Sequence, residues 1–131
     1  MSGPPGAHDH PFGQLLGLRV EEAAAGRSVL SLVIAAHHLN PNRVVHGGVV
    51  YSLADTGMGA ALYSTLAETE AGATVELKIN YLAAAREGAL RCETTLIGRS
   101  GRLAVLESRV TSSAELVAVA LGTFSVFARR G

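Results

Sequence analysis

Between Gly47 and Ala67 the chain runs for 21 residues with one charged side chain, Asp55. That length is enough to span a bilayer, but the composition argues otherwise. The stretch holds only six large aliphatic or Met side chains among Gly, Ala, Ser and Thr, and a central Asp costs about 2.5–3.5 kcal/mol on insertion. A helix over 47–66, apolar nearly all round and buried inside a soluble protein, explains the same pattern. Gly57, Gly59, Ala60 and Ala61 weaken its propensity but let a neighbour pack close. The remainder of the chain must therefore wrap this helix.

The flanking pattern supplies the wrapping. Residues 12–18 read as a short helical turn that packs Leu15 and Leu16, followed by strands near 18–24 and 27–35, the latter rich in branched residues. Asn40-Pro41-Asn42 breaks the run. After a turn at Glu68–Gly72 come four apolar runs, 73–82, 89–98, 103–111 and 116–128, separated by short polar breaks that suit antiparallel neighbours, with Ser100-Gly101 as a hairpin turn. Strand, strand, buried helix, then four strands is an α+β order, one antiparallel sheet wrapped around one long central helix. Open sheet edges favour pairing of protomers, so a dimer or tetramer is expected.

At 131 residues the chain suits one domain, since two cores would each be too small. An arm over 1–11 and a single domain over 12–131 are expected. His8 and His10 in that arm read as solvated rather than metal-binding. The arm lacks the apolar core of a signal peptide. Ten Arg and Lys78 are scattered and balanced by eleven acids, so there is no basic stripe for nucleic acid. With one cysteine, Cys92, neither an internal disulfide nor a zinc cluster is available, and a reducing cytoplasm is the natural compartment.

The chemistry concentrates in 40–57. Asp55 is the one carboxylate on an apolar helix, and an unpaired buried carboxylate is costly; either Tyr, Ser or backbone N–H groups satisfy it or it serves function. Gly47-Gly48 sits at the helix start, where free N–H groups and the macrodipole favour negative charge; it is either an oxyanion hole or a plain glycine cap. Together they suggest attack on a carbonyl. Eight residues of helix separate Gly47 from Asp55, about 12 Å, too far for one protomer to serve one carbonyl. A twofold dimer with antiparallel helices would bring Gly47 of one protomer to Asp55 of the other, in two composite sites.

Asn40, then His46-Gly47-Gly48 six residues on, then Leu53-Ala54-Asp55, resembles the signature of hotdog-fold acyl-CoA thioesterases of the PaaI-type, phenylacetic acid degradation-related branch. The resemblance extends through Leu16-Gly17-Leu18, Lys78 to Leu82, the Gly-Arg before the fifth strand, and Val119 to Thr123. It implies a hotdog fold and hydrolysis of acyl-CoA, of aryl or phenylacetyl type, to free acid and CoA, by a homo-oligomer with composite sites, a dimer or its tetramer, without metal or other cofactor. It further implies that the Gly47 N–H polarises the thioester carbonyl, with Gly48 beside it on the substrate. Asp55 would be nucleophile or general base, Asn40 and His46 would orient the thioester or the water, and Thr74 would hold the attacking water. Arg43 departs from a family Gly, and Ala83-Ala84-Ala85 from a Pro-containing turn.

Other candidates have plain readings beside the functional ones. His37 and His38 read as solvated loop residues, and with His46 they offer no zinc-binding spacing. Cys92 reads as inert core. Arg99 and Arg102, like Arg86, lie near turns and suit CoA phosphates or simply the surface. Tyr51, Met58, Tyr63 and Phe124 line an acyl pocket or fill the core. Two rival functions stay open: a hydratase or dehydratase, which would use His46 near a carboxylate, and a non-catalytic acyl-CoA-binding protein, which would have little use for Asp55.

Overall fold

Alternation and turn chemistry build one six-stranded antiparallel sheet in the computed structural model, which describes residues 10–130. Most of the 1–11 arm, His8 included, lies outside the described residues. Its last two residues belong to the first helix, α1 (Pro11–Leu16): His10 is the N-cap, its Nδ1 accepting the Gly13 N–H at 2.7 Å, and Pro11 occupies the first turn. Gly17, at φ +83°, ends the helix in a conformation that glycine adopts without strain.

The strands are β1 (Arg19–Ala24), β2 (Arg27–Val33), β3 (Glu70–Tyr81), β4 (Ala89–Ser100), β5 (Leu103–Ser112) and β6 (Glu115–Ala128), in spatial order β1-β2-β4-β5-β6-β3. Two hairpin turns, Ala25-Gly26 and Ser113-Ala114, hold both residues at positive φ, as a two-residue turn matched to sheet twist requires. The second does so without glycine, which is why only a polar break is legible there.

The long helix α2 (Gly47–Tyr63) leads from β2 across one face of the sheet to β3, which docks beside β6 at the far edge. It is shorter than the expected 47–66 because Ser64 and Thr65 turn their hydroxyls back onto the Ala61 and Leu62 carbonyls. β3 starts at Glu70, inside the expected turn, where it pairs with Ala128. Leu53, Met58 and Leu62 of α2 are fully buried against a sheet face that includes Leu30, Leu32, Leu90 and Leu106. Burial of this kind, at roughly 25 cal/mol per Å² of apolar surface, is what holds helix to sheet. Among the described residues no helix is long and apolar enough to cross a membrane.

His38 corrects the sequence reading. It is 2% exposed, accepting the Ala35 N–H at Nδ1 (2.9 Å) and donating from Nε2 to the Leu16 carbonyl (2.7 Å). Both ring nitrogens are spent on backbone, so it is a core tie between α1 and the segment before α2. Cys92 is buried as expected, and desolvation pushes its thiol up to about 11, leaving it protonated and unreactive at neutral pH.

Candidate active site

Asp55 sits in the middle of α2 on the flank that turns from the sheet toward β3. It is half-buried rather than enclosed, so the expected penalty of a fully buried carboxylate does not arise. Its Oδ1 accepts a hydrogen bond from Thr74 Oγ1 at 2.8 Å. Thr74 owes that aim to a β-bulge. The register of β3 against β6 slips between Thr74 and Glu76, leaving Val75 as the extra residue. Without the slip Thr74 would share the outer face with Glu76; with it, Thr74 lies opposite the buried Phe124 and faces α2. Bulges are not readable from alternation alone, so sequence could suggest Thr74 only through the family likeness.

Asp55 and Thr74 open onto a cavity of about 320 Å³, walled by Gly59, Ala60, Ala73 and Phe124 and by Tyr63. The Tyr63 hydroxyl is held by Gly72, donating to its carbonyl and accepting its N–H. Of the four suspected acyl-pocket residues, Tyr63 and Phe124 line this cavity, whereas Met58 is core. His10 lines it too, a position no periodicity in the N-terminal segment signals.

The helix start forms a second locus. His46 is the N-cap, its Nδ1 accepting the Gly48 N–H at 2.7 Å. That bond places the proton of the neutral ring on Nε2. The Gly48 amide is thus spent, while the Gly47 N–H has no acceptor among the described residues. Tyr81 explains the glycine: its hydroxyl donates to the Gly47 carbonyl at 2.8 Å, and a Cβ on Gly47 would meet the ring at 3.1 Å. Packing there, and to a lesser degree Tyr51, raises the Tyr81 phenol above its usual range. Asn40 shapes the loop leading in, its Oδ1 accepting from Asn42 and Val44 N–H groups. The same loop explains the Arg43 departure, for Arg43 stands at φ +62°, where glycine is the easier residue.

Arg99 and Arg102 lie elsewhere, lining a separate surface cavity of about 510 Å³ with Glu70 and Phe127. The structure thus joins Asp55 with Thr74 and His46 with Gly47 and Gly48 at the start of α2, with Asn40 turned into its own loop. Along α2 the two groups stand apart within a protomer. Among the described residues no three His, Cys, Asp or Glu side chains gather as a metal site.

The span from the loop before α2 into the first half of β6, residues 42–119, matches the model of the Thioesterase superfamily. The chain belongs to that superfamily. SSO1253 of Saccharolobus solfataricus, which carries the name of an esterase, is 34% identical over 113 residues, 86% of this chain and 75% of that one. PA5202, a conserved protein of Pseudomonas aeruginosa, superposes with a TM-score of 0.89 at 32% identity, covering 94% and 98% of the two chains. A mutant of the phenylacetic acid degradation protein PaaI of Thermus thermophilus gives 0.82 at 28% identity, covering 88% and 97%. The architecture is the hotdog fold in its PaaI-type branch, and the protein is a thioester hydrolase.

Proposed function

We propose that this hydrolase cleaves acyl-CoA, of aryl or phenylacetyl type, in composite sites across a twofold dimer. The observation that carries the reading is the pair of half-sites: an acid with its hydroxyl partner open to a cavity, and an unpartnered amide at a helix start. Along α2 they stand about 12 Å apart, so one carbonyl reaches both only when the second comes from a partner. β3, the edge strand that carries Thr74, is exposed from Ala73 to Glu76, and pairing through that edge would set two α2 helices antiparallel. Two such dimers would make the tetramer.

In this scheme the thioester oxygen lies against the partner's Gly47 N–H, with the adjacent Gly48 backbone forming the floor. Water held by Thr74 is deprotonated by Asp55 and attacks the carbonyl carbon, or the Asp55 carboxylate attacks first and water releases the acid. The tetrahedral oxyanion is stabilised by the amide and the helix dipole. Collapse breaks the C–S bond; the departing thiolate takes up the proton held by Asp55 on the first route, and on the second the proton of the water that then hydrolyses the acyl-Asp55 anhydride. Asn40, through its amide nitrogen, and His46, through Nε2–H, orient the thioester from the loop side. The acyl group occupies the cavity beside Asp55, which is near the lower end of the roughly 300–1,000 Å³ typical of ligand pockets and suits a ring or short chain. Arg99 and Arg102 take the phosphates of the nucleotide. No metal or redox cofactor enters the scheme, and a cytoplasmic setting supplies the CoA ester.

The test is thiol release from phenylacetyl-, benzoyl-, short-chain and long-chain acyl-CoA, with Asp55→Asn as control. Turnover on the aryl esters that Asp55→Asn abolishes supports the reading. Hydration of an enoyl-CoA without thiol release, or tight acyl-CoA binding with no turnover, would replace it.

A further inference from the structure

Most of the sheet face under α2 is hydrocarbon, but one transverse row is not. Ser28, Thr94 and Ser108 lie directly opposite one another on β2, β4 and β5, and each is fully buried. Ser108 Oγ donates to the Ala54 carbonyl at 3.1 Å, and Ser28 Oγ donates to the Gly57 carbonyl at 2.7 Å. Thr94 Oγ1 lies 2.7 Å from Ser108 Oγ; with the Ser108 proton already committed, Thr94 is the donor of that bond. The two helix carbonyls that receive these bonds bracket Asp55.

The geometry points to a positioning role for this hydroxyl row, which sets the roll and register of α2 and so aims Asp55 at Thr74 and the substrate. The inference rests on Asp55 being the acid of the site. Apolar contact is non-directional, so a helix lying on hydrocarbon alone is free to roll or slide by small amounts. Hydrogen bonds weaken steeply off-axis, so two of them to successive turns of one helix face fix its angle. At about 100° per residue, Ala54 and Gly57 both face the sheet while Asp55 stands on the flank. With side chains reaching roughly 5–6 Å from the axis, a roll of about 20° would carry the Asp55 carboxylate some 2 Å, where a misplacement of about 1 Å can cost a hundredfold in rate. The helix meets the row closely: a Cβ on Gly57 would lie 2.7 Å from Thr94 Oγ1.

Thr94 is hydrogen-bonded to α2 only through Ser108, whose Oγ it holds in its aim at the Ala54 carbonyl. Thr94→Val keeps the shape and removes that hold, Thr94→Ser keeps the hydroxyl and removes the methyl, and Ser108→Ala deletes the bond to Ala54. Each is assayed for thiol release from phenylacetyl-CoA at a temperature where circular dichroism shows it folded. Thr94→Val and Ser108→Ala are expected to lower kcat about tenfold or more with KM within about twofold, while Thr94→Ser stays near the parent. If Ser108→Ala does not fold, the Thr94 pair decides alone. Equal losses in Thr94→Val and Thr94→Ser, or kcat retained in the folded Thr94→Val protein, overturn the positioning role. Turnover that survives Asp55→Asn overturns the catalytic reading of Asp55 and this inference with it. Turnover lost in Asp55→Asn but intact in Thr94→Val overturns the hydroxyl row alone.

Discussion

The two sides of α2 differ in a way that separates support from chemistry. On the side against β2, β4 and β5, the buried side chains are either apolar or hydroxyls with a hydrogen-bond partner, and among the described residues no buried polar side-chain atom is left unsatisfied. On the side toward β3, Asp55 has one partner, Thr74, and faces a cavity. A group that must meet substrate keeps bonding capacity in reserve, and its aim depends on a neighbouring surface that is closed and complete.

Substitutions on each side test that division. The largest effect is expected from Asp55→Asn: thiol release should fall by about 10²–10⁴-fold, while the urea midpoint stays near that of the parent, because the side chain is half-exposed. An equal fall in stability would show that Asp55 belongs to the supporting side. Leu53→Ala, at a fully buried position on that side, should cost about 2–5 kcal/mol of unfolding free energy, read by urea denaturation. Gly57→Ala forces a methyl to within 2.7 Å of Thr94 Oγ1 and 3.2 Å of Cys92 Sγ; overpacking should cost about 1–3 kcal/mol. Two residues along, Gly59→Ala meets nothing within 4 Å and should gain up to about 1 kcal/mol from helix propensity. It also narrows the cavity wall, so turnover of bulky acyl groups should drop relative to small ones. A destabilised Gly59→Ala would mean that the cavity side of the helix tolerates added volume no better than the sheet side.

How much of this was legible follows the same line. The helix, the strand order along the chain and the turns were readable because apolar period and turn residues act locally. Spatial order was not: β3 reaches the edge beside β6 through the α2 crossover, and the bulge at Val75 that turns Thr74 inward breaks alternation without any residue that announces it. Asp55 and Gly47 stood out as a lone charge and a glycine pair, and the motif that contains them falls largely within the matched family span. Ser28, Thr94 and Ser108 did not, since isolated hydroxyls on three separate strands form a row only once the register is set. His38 looked like a loop residue because its two backbone partners, Ala35 and Leu16, come from different segments. His10 likewise reaches the cavity as the N-cap of α1, a placement that composition does not encode.

The edge position of β3 also has a meaning in time. β4, β5 and β6 are joined by two-residue turns and can zip up from their ends, whereas β3 must find β6 with β4 and β5 already between them in sequence, Glu70 meeting Ala128. Contacts of such long sequence separation, like those of β2 with β4, close far larger loops than the hairpins and form after them. The bond between Thr74 and Asp55 exists only after that docking. During refolding, recovery of thiol release should therefore trail the protection of β4–β6 amides, and the site should appear only after the hairpins have formed.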